Sequence, residues 1–191
     1  AAYIHERYQK IPILMHLRAR LSHVRNPRIL NVLDVWLRSF VNGRLPRRTA
    51  IDPAALGREL EIVWLCDVVL PGPRYRYRLA GERVNAVYGG SLARRFMDEV
   101  IPEDKREPVL ARYHRVVRER GISHAAGRLY LSSGRIFTGE RIVLPLSDDG
   151  ETVDAILGAT AFDWPTLSAE PGELKMEPEV VFTPLEDREP S

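Results

Sequence analysis

Arg74-Tyr75-Arg76-Tyr77-Arg78-Leu79 alternates charge and apolar bulk without a break. A β-strand turns successive side chains to opposite faces, so this spacing puts Tyr75, Tyr77 and Leu79 on one side and three arginines on the other. That is a half-buried strand with one wet face. Upstream, Ile62 to Leu70 is a β-type apolar run ended by Pro71-Gly72-Pro73, which reads as a turn and makes the two runs a hairpin. Downstream, Gly127 to Ser132 connects through Ser133-Gly134 to Ile136 to Leu146. The turn Ser147-Asp148-Asp149-Gly150 then leads into Val153 to Phe162. Short turns imply antiparallel neighbours, so the residues give a two-stranded hairpin and three further antiparallel strands.

Helical spacing fills the rest. Asn26-Pro27 is an N-cap followed by Pro at the first helical position, and Leu30, Leu33, Leu37 and Phe40 then fall on one face, with a stop at Gly43. Asp52-Pro53 opens a shorter helix by the same logic. Pro102-Glu103-Asp104 starts a longer one, its acids suited to the positive end of the dipole, running through Tyr113 and Val117 to Gly121. Pro108 fits only if it lies in or near the first turn. Residues 82–100 read as short helical pieces broken at Gly89-Gly90.

Composition bounds the rest of the reading. At 191 residues, 45% hydrophobic and 28% charged, the chain suits one globular domain with decorated ends. No apolar stretch approaches the ~18 residues of a membrane span. Arg7 and Lys10 precede only a short apolar patch broken by Pro12, which does not resemble a secretory signal. The single Cys66 excludes an intramolecular disulfide and a multi-cysteine metal site, and makes a reducing cytoplasm the natural compartment. Charge is split between the ends. Residues 1–50 hold ten Lys/Arg against Glu6 and Asp34, whereas residues 151–191 hold ten acids against Lys175 and Arg188. Residues 1–25 read as a basic amphipathic segment, and residues 164–191, with five prolines and seven acids, as an extended or disordered acidic tail in which Val180-Val181-Phe182 could still dock. The expected divisions are 1–25, flanking helices at 26–60, a core at 61–163 and the tail at 164–191.

Hairpin, short helices, one longer helix and three antiparallel strands, in that order, resemble a PAS domain. Gly90-Ser91-Leu92 through Val100-Ile101-Pro102-Glu103-Asp104 resembles the PAS pattern of a glycine, a short helix and a hydrophobic-Pro-acid helix start. Ser133-Gly134-Arg135 and Asp149-Gly150 are similar to its two later turns. Ile51-Asp52-Pro53, Asp67-Val68, the Tyr77 to Gly81 strand and the Pro145 to Gly150 turn are similar to those of small stand-alone bacterial PAS proteins typical of alphaproteobacteria. The likeness covers about residues 28–163. It implies an α+β PAS fold, a five-stranded antiparallel sheet with helices on one face and a small cavity between, plus N-terminal flanking helices, and a sensory or interaction module. A fold does not by itself identify a function.

Trp64, Tyr75, Tyr77, Tyr88, Tyr113 and His114 are the candidates to line that cavity, since aromatic walls with polar tips suit a small organic ligand. Plain core packing explains the same residues equally well. Arg78 and the Glu140-Arg141 pair could neutralise one another or hold a ligand carboxylate. The cofactor is unknown. Haem-binding PAS domains place an axial histidine near the position of His114, but a lone helical histidine is ordinarily a packed or surface residue. The flavin-binding branch uses a cysteine in a helix after the hairpin, and none occurs between Gly81 and Pro102; haem and flavin are therefore both argued against. Histidine spacing supports no metal site, and no nucleophile, acid–base pair or phosphate-binding glycine loop marks an enzyme. The expected function is a cytoplasmic signalling module without an output domain, binding a small ligand or a protein partner. It would form a homodimer through Leu30, Leu33, Leu37 and Phe40. The alternative is a peripheral adaptor whose basic segment at 1–25 meets a membrane surface or, less in keeping with the sequence, nucleic acid.

Overall fold

The alternating stretch folds as the second strand of a sheet. The computed structural model describes residues 14–132, 135–163 and 178–186; there β1 (Val63–Val69) and β2 (Arg74–Ala80) pair antiparallel. Tyr75 and Tyr77 are buried, and Arg74, Arg76 and Arg78 stay in water. The register slips between Leu65 and Cys66, and beyond the slip Leu79 loses its expected place on the buried face, with 44% of its surface exposed. β3 (Gly121–Ser132), β4 (Arg135–Leu146) and β5 (Ala155–Phe162) complete the expected five. All pairings are antiparallel, in the order β2-β1-β5-β4-β3-β6.

The sixth strand corrects the sequence reading. β6 (Glu179–Pro184) lies within the stretch assigned to an acidic tail and pairs with β3 from Gly121 to Ala126. Three causes are visible. The open edge of β3 carries backbone groups in need of partners. Gly121 leaves room for the Phe182 ring, where a Cβ would stand 2.2 Å from Cζ. The Arg115 guanidinium covers that ring at 3.9 Å. Composition over 28 residues hid this local β-branched and aromatic run. Residues 1–13, 164–177 and 187–191 and the Ser133-Gly134 turn lie outside the described residues.

Helices form where their caps allow. Residues 14–20 are helical (α1), and α2 (Pro27–Ser39) follows with the Asn26 side chain accepting from the Arg28 and Ile29 N–H groups. Asp52 caps α3 (Pro53–Leu56) in the same way. α4 (Glu82–Val87) and α5 (Met97–Val100) are the short pieces before α6 (Glu103–Glu119). Pro108 sits in the second turn of α6, deeper than expected. It faces solvent, where water can satisfy the carbonyl that its missing N–H leaves free.

Helices cover both faces of the sheet, the flanking α2 the outer one and α6 the inner. Along β4 the alternation sends Arg141 and Val143 towards α6 and Glu140, Ile142 and Leu144 towards α2. Trp36 of α2 is fully buried and its Nε1–H donates to the Pro145 carbonyl at 2.9 Å. β5, sandwiched between the layers, is buried through seven consecutive residues, Ala155 to Ala161. The seating of α2 also corrects the expected dimer surface. Leu33, Leu37 and Phe40 are buried within their own chain, and Leu30 packs half-buried against the same core. An amphipathic stripe in sequence shows that a helix needs an apolar partner, and here the partner is the outer sheet face.

Candidate functional site

α6 crosses the inner sheet face and leaves a cleft between helix and strands. Val109, Arg112 and Tyr113 of α6 form one wall; Ser123 and Ala125 of β3 and Arg141 and Val143 of β4 form the other. The cleft is shallow: its cavity volume is ≈ 20 Å³, room for about one water.

The sequence candidates gather behind this cleft. Trp64 lies 6.0 Å, centroid to centroid, from both Tyr77 and Tyr113, and Tyr75 lies 5.7 Å from Tyr113. These are the tilted and edge-on arrangements that aromatic quadrupoles favour. Trp64, Tyr75, Tyr77 and Tyr113 are all at most 5% exposed, so they pack as a wall rather than line an open chamber. Tyr88 is half-buried and hydrogen-bonds to Arg141. His114 is drawn into the wall through Nδ1, 2.8 Å from the Tyr75 hydroxyl. Burial, with Arg118 nearby, holds the His114 pKa below its ordinary value, so the ring is neutral at pH 7 and the Tyr75 O–H donates to it. Burial likewise pushes the Tyr75 hydroxyl and the Cys66 thiol up, which leaves Cys66 an inert thiol on β1.

Arg141 is the residue whose importance the sequence understated. Its Nε–H donates to Thr160 Oγ1 at 3.0 Å, and one terminal nitrogen reaches the Tyr113 hydroxyl at 3.4 Å. The Trp64 indole N–H donates to the same Thr160 oxygen at 3.0 Å. All these partners are neutral, and among the described residues no carboxylate pairs with the guanidinium. The suggested pairings with Arg78 and Glu140 are corrected. Arg78 forks onto Asp67 at 3.0 and 3.1 Å, on the outer face. Glu140 is the next residue along from Arg141, and for that reason it points the opposite way.

On the outer face Glu140 ties the start of α2 to the sheet. Its carboxylate accepts from the Arg25 and Asn26 N–H groups at 2.9 and 3.0 Å and meets His124 Nε2 at 2.9 Å. His23 stacks edge-on against His124, their rings 4.9 Å apart. Burial foremost, then the neighbouring His124, holds the His23 pKa below 6.5. In the unfolded chain His23 titrates at the ordinary value, so it takes up its proton before the folded chain does. The stability this neutral ring contributes is complete above about pH 6.5 and falls as pH drops towards the lower folded value. The midpoint of urea unfolding is therefore expected to fall between about pH 7.5 and 5.5, and His23→Asn to flatten that slope. An unchanged slope in the variant would remove His23 as the cause.

An antiparallel sheet roofed by one long helix, with a small polar-tipped cleft between them, is the α+β architecture expected from the sequence. The PAS domain family model matches residues 24–161, most of the chain, and the chain belongs to that family. No curated protein matches it. Among solved structures it is similar to the crystal structure of a LOV protein from Rhodobacter sphaeroides, with 16% identity and a TM-score of 0.43. That match covers 55% of this chain and 60% of the other. The argument against flavin rests on the sequence alone and gains no support from this neighbour. Among the described residues no helix is long and apolar enough to cross a membrane, and no group of three His, Cys, Asp or Glu is placed to hold a metal ion.

Proposed function

We propose that this PAS domain is a sensory module that takes a small ligand into the cleft between α6 and the β3–β4 face and passes the change to a protein partner through its N-terminal helices. The observation that carries this reading is the back-to-back pair on β4. Arg141 reaches into the inner cleft, while Glu140, one residue before it, holds the amides that begin α2 on the outer face. A ligand that shifts Arg141 moves the strand that anchors α2. It would then change the relative populations of docked and loosened helices in proportion to its preference for one of them. The reading is sensory and not catalytic, and places the protein in the bacterial cytoplasm. A homodimer remains part of it, with its interface away from the buried stripe of α2.

Native mass spectrometry of freshly purified protein tests the ligand. Extra mass per subunit that disappears on denaturation, and is missing from a Val143→Trp variant whose indole fills the cleft, is the expected result. A clean native mass with no addition, matched by indifference of that variant, would make the chain a protein-interaction module instead.

A further inference from the structure

Independently of any ligand in the cleft, we infer that the chain senses protons on the opposite face of the sheet: the His23–His124 pair is the proton site, and the docking of α1 is what it controls. The inference comes from how the two rings are held. His124 is 3% exposed, and its Nε2–H donates to the Glu140 carboxylate. His23 meets that ring edge-on from the turn that follows α1. One His23 nitrogen hydrogen-bonds to the Arg20 backbone, where a carbonyl can only accept. That nitrogen therefore carries the hydrogen of the neutral ring. It leaves Nε2 bare, buried and without a partner among the described residues. Protonation would make Nε2 a buried N–H donor with nothing to accept it, and would set a positive ring against His124.

The charged groups around His23 do not cancel that penalty. Arg20, on its own helix, is turned to the Pro184 carbonyl, and Arg25 lies in solvent. Glu140 from β4 and Glu179 from β6 favour the proton, but burial and His124 outweigh them and hold the docked ring below its ordinary pKa. Released from the sheet, the ring returns to about 6.5. Docking is therefore fully favoured above about pH 6.5 and weakens as pH falls towards the lower docked value, because the released ring takes up its proton first. Each unit of lowering multiplies the released population by up to about tenfold. Leu17, Leu21 and Val24 are at most 4% exposed, so this population is a minor one, and the proton changes its size without emptying the docked state. A protein partner that takes the freed apolar face gains apparent affinity by the same factor. α2 stays seated, since the Asn26 amide on Glu140 and the Trp36 N–H on the Pro145 carbonyl do not involve His23.

Amide hydrogen exchange followed by NMR, on the full chain with no ligand added, tests this. The Leu21, Ser22 and Val24 amides are bonded within the docked segment, and those of Leu157 and Ala159 lie in the central strand β5. With intrinsic exchange corrected for pH, the first three should be protected far less than the β5 pair, which marks an opening of their own. Their protection should fall by about three- to tenfold between about pH 7.5 and 5.5. His23→Asn should remove that fall, and His23→Gln serves if the asparagine variant folds poorly. Protection of the three equal to that of β5 would show that α1 opens only with the whole chain, and would overturn the inference. So would protection independent of pH in the parent, or a fall that persists without His23. None of these outcomes bears on the cleft.

Discussion

Leu37→Asp is expected to unfold the chain, not to separate two copies of it. The sequence puts Leu37 on an apolar stripe that a dimer could use, but the residue is 7% exposed inside its own chain. The substitution removes a buried aliphatic side chain, which by itself costs about 2–5 kcal/mol. It also leaves a carboxylate in the core, where either its charge or its proton uptake adds a further penalty. The sum approaches the ~5–15 kcal/mol that holds an ordinary domain together. In urea the variant should lose most of its midpoint, by the same amount at every protein concentration. Leu37→Ala should lose less. A variant that keeps the parental midpoint and only halves its sedimenting mass would show that α2 is not seated as described.

The second large effect is expected at Gly158. This residue lies at the centre of β5, opposite Trp64 on β1 and Val143 on β4. A Cβ there would stand 2.0 Å from two atoms of the Trp64 indole. Trp64 is 2% exposed and its N–H is fixed to Thr160, so the ring has no room to withdraw. Gly158→Val therefore carries an overpacking cost of about 1–3 kcal/mol and a lost hydrogen bond of about 1 kcal/mol. A fall in Tm of roughly 5–15 °C follows for a chain of this size. Combining it with Trp64→Leu should return part of the loss, since the clash and the ring go together. An additive double variant would show that the indole does not rest on Gly158.

The family was legible because PAS signals are local. The alternation at residues 74–79, the Asn26-Pro27 and Asp52-Pro53 helix starts and the Asp149-Gly150 turn each work over a few residues of backbone, through strand periodicity, side-chain capping and turn geometry. The same locality explains β5, which carries no charged residue from Ala155 to Phe162. Reading the tail by average composition failed for the opposite reason. Proline and acid content over residues 164–191 outweighed Val180-Val181-Phe182, and whether three such residues form a strand depends on an open edge far away in sequence, at Gly121 to Ala126.

The sequence alone determined five of the six strands, the antiparallel pairing of those joined by short turns and the aromatic residues that meet on one face. It contained Glu140 and Arg141 as neighbours but gave no means of separating their tasks. Tertiary structure decided that adjacent residues serve opposite faces: Arg141 under α6 beside the Tyr113 and Thr160 hydroxyls, Glu140 against the start of α2. It also decided that the apolar stripe of α2 is satisfied within the chain. The physical reason is the same in each case. Periodicity tells a side chain to leave water, whereas the group it meets there is set by how distant elements are layered, and that is written in no short stretch of the chain.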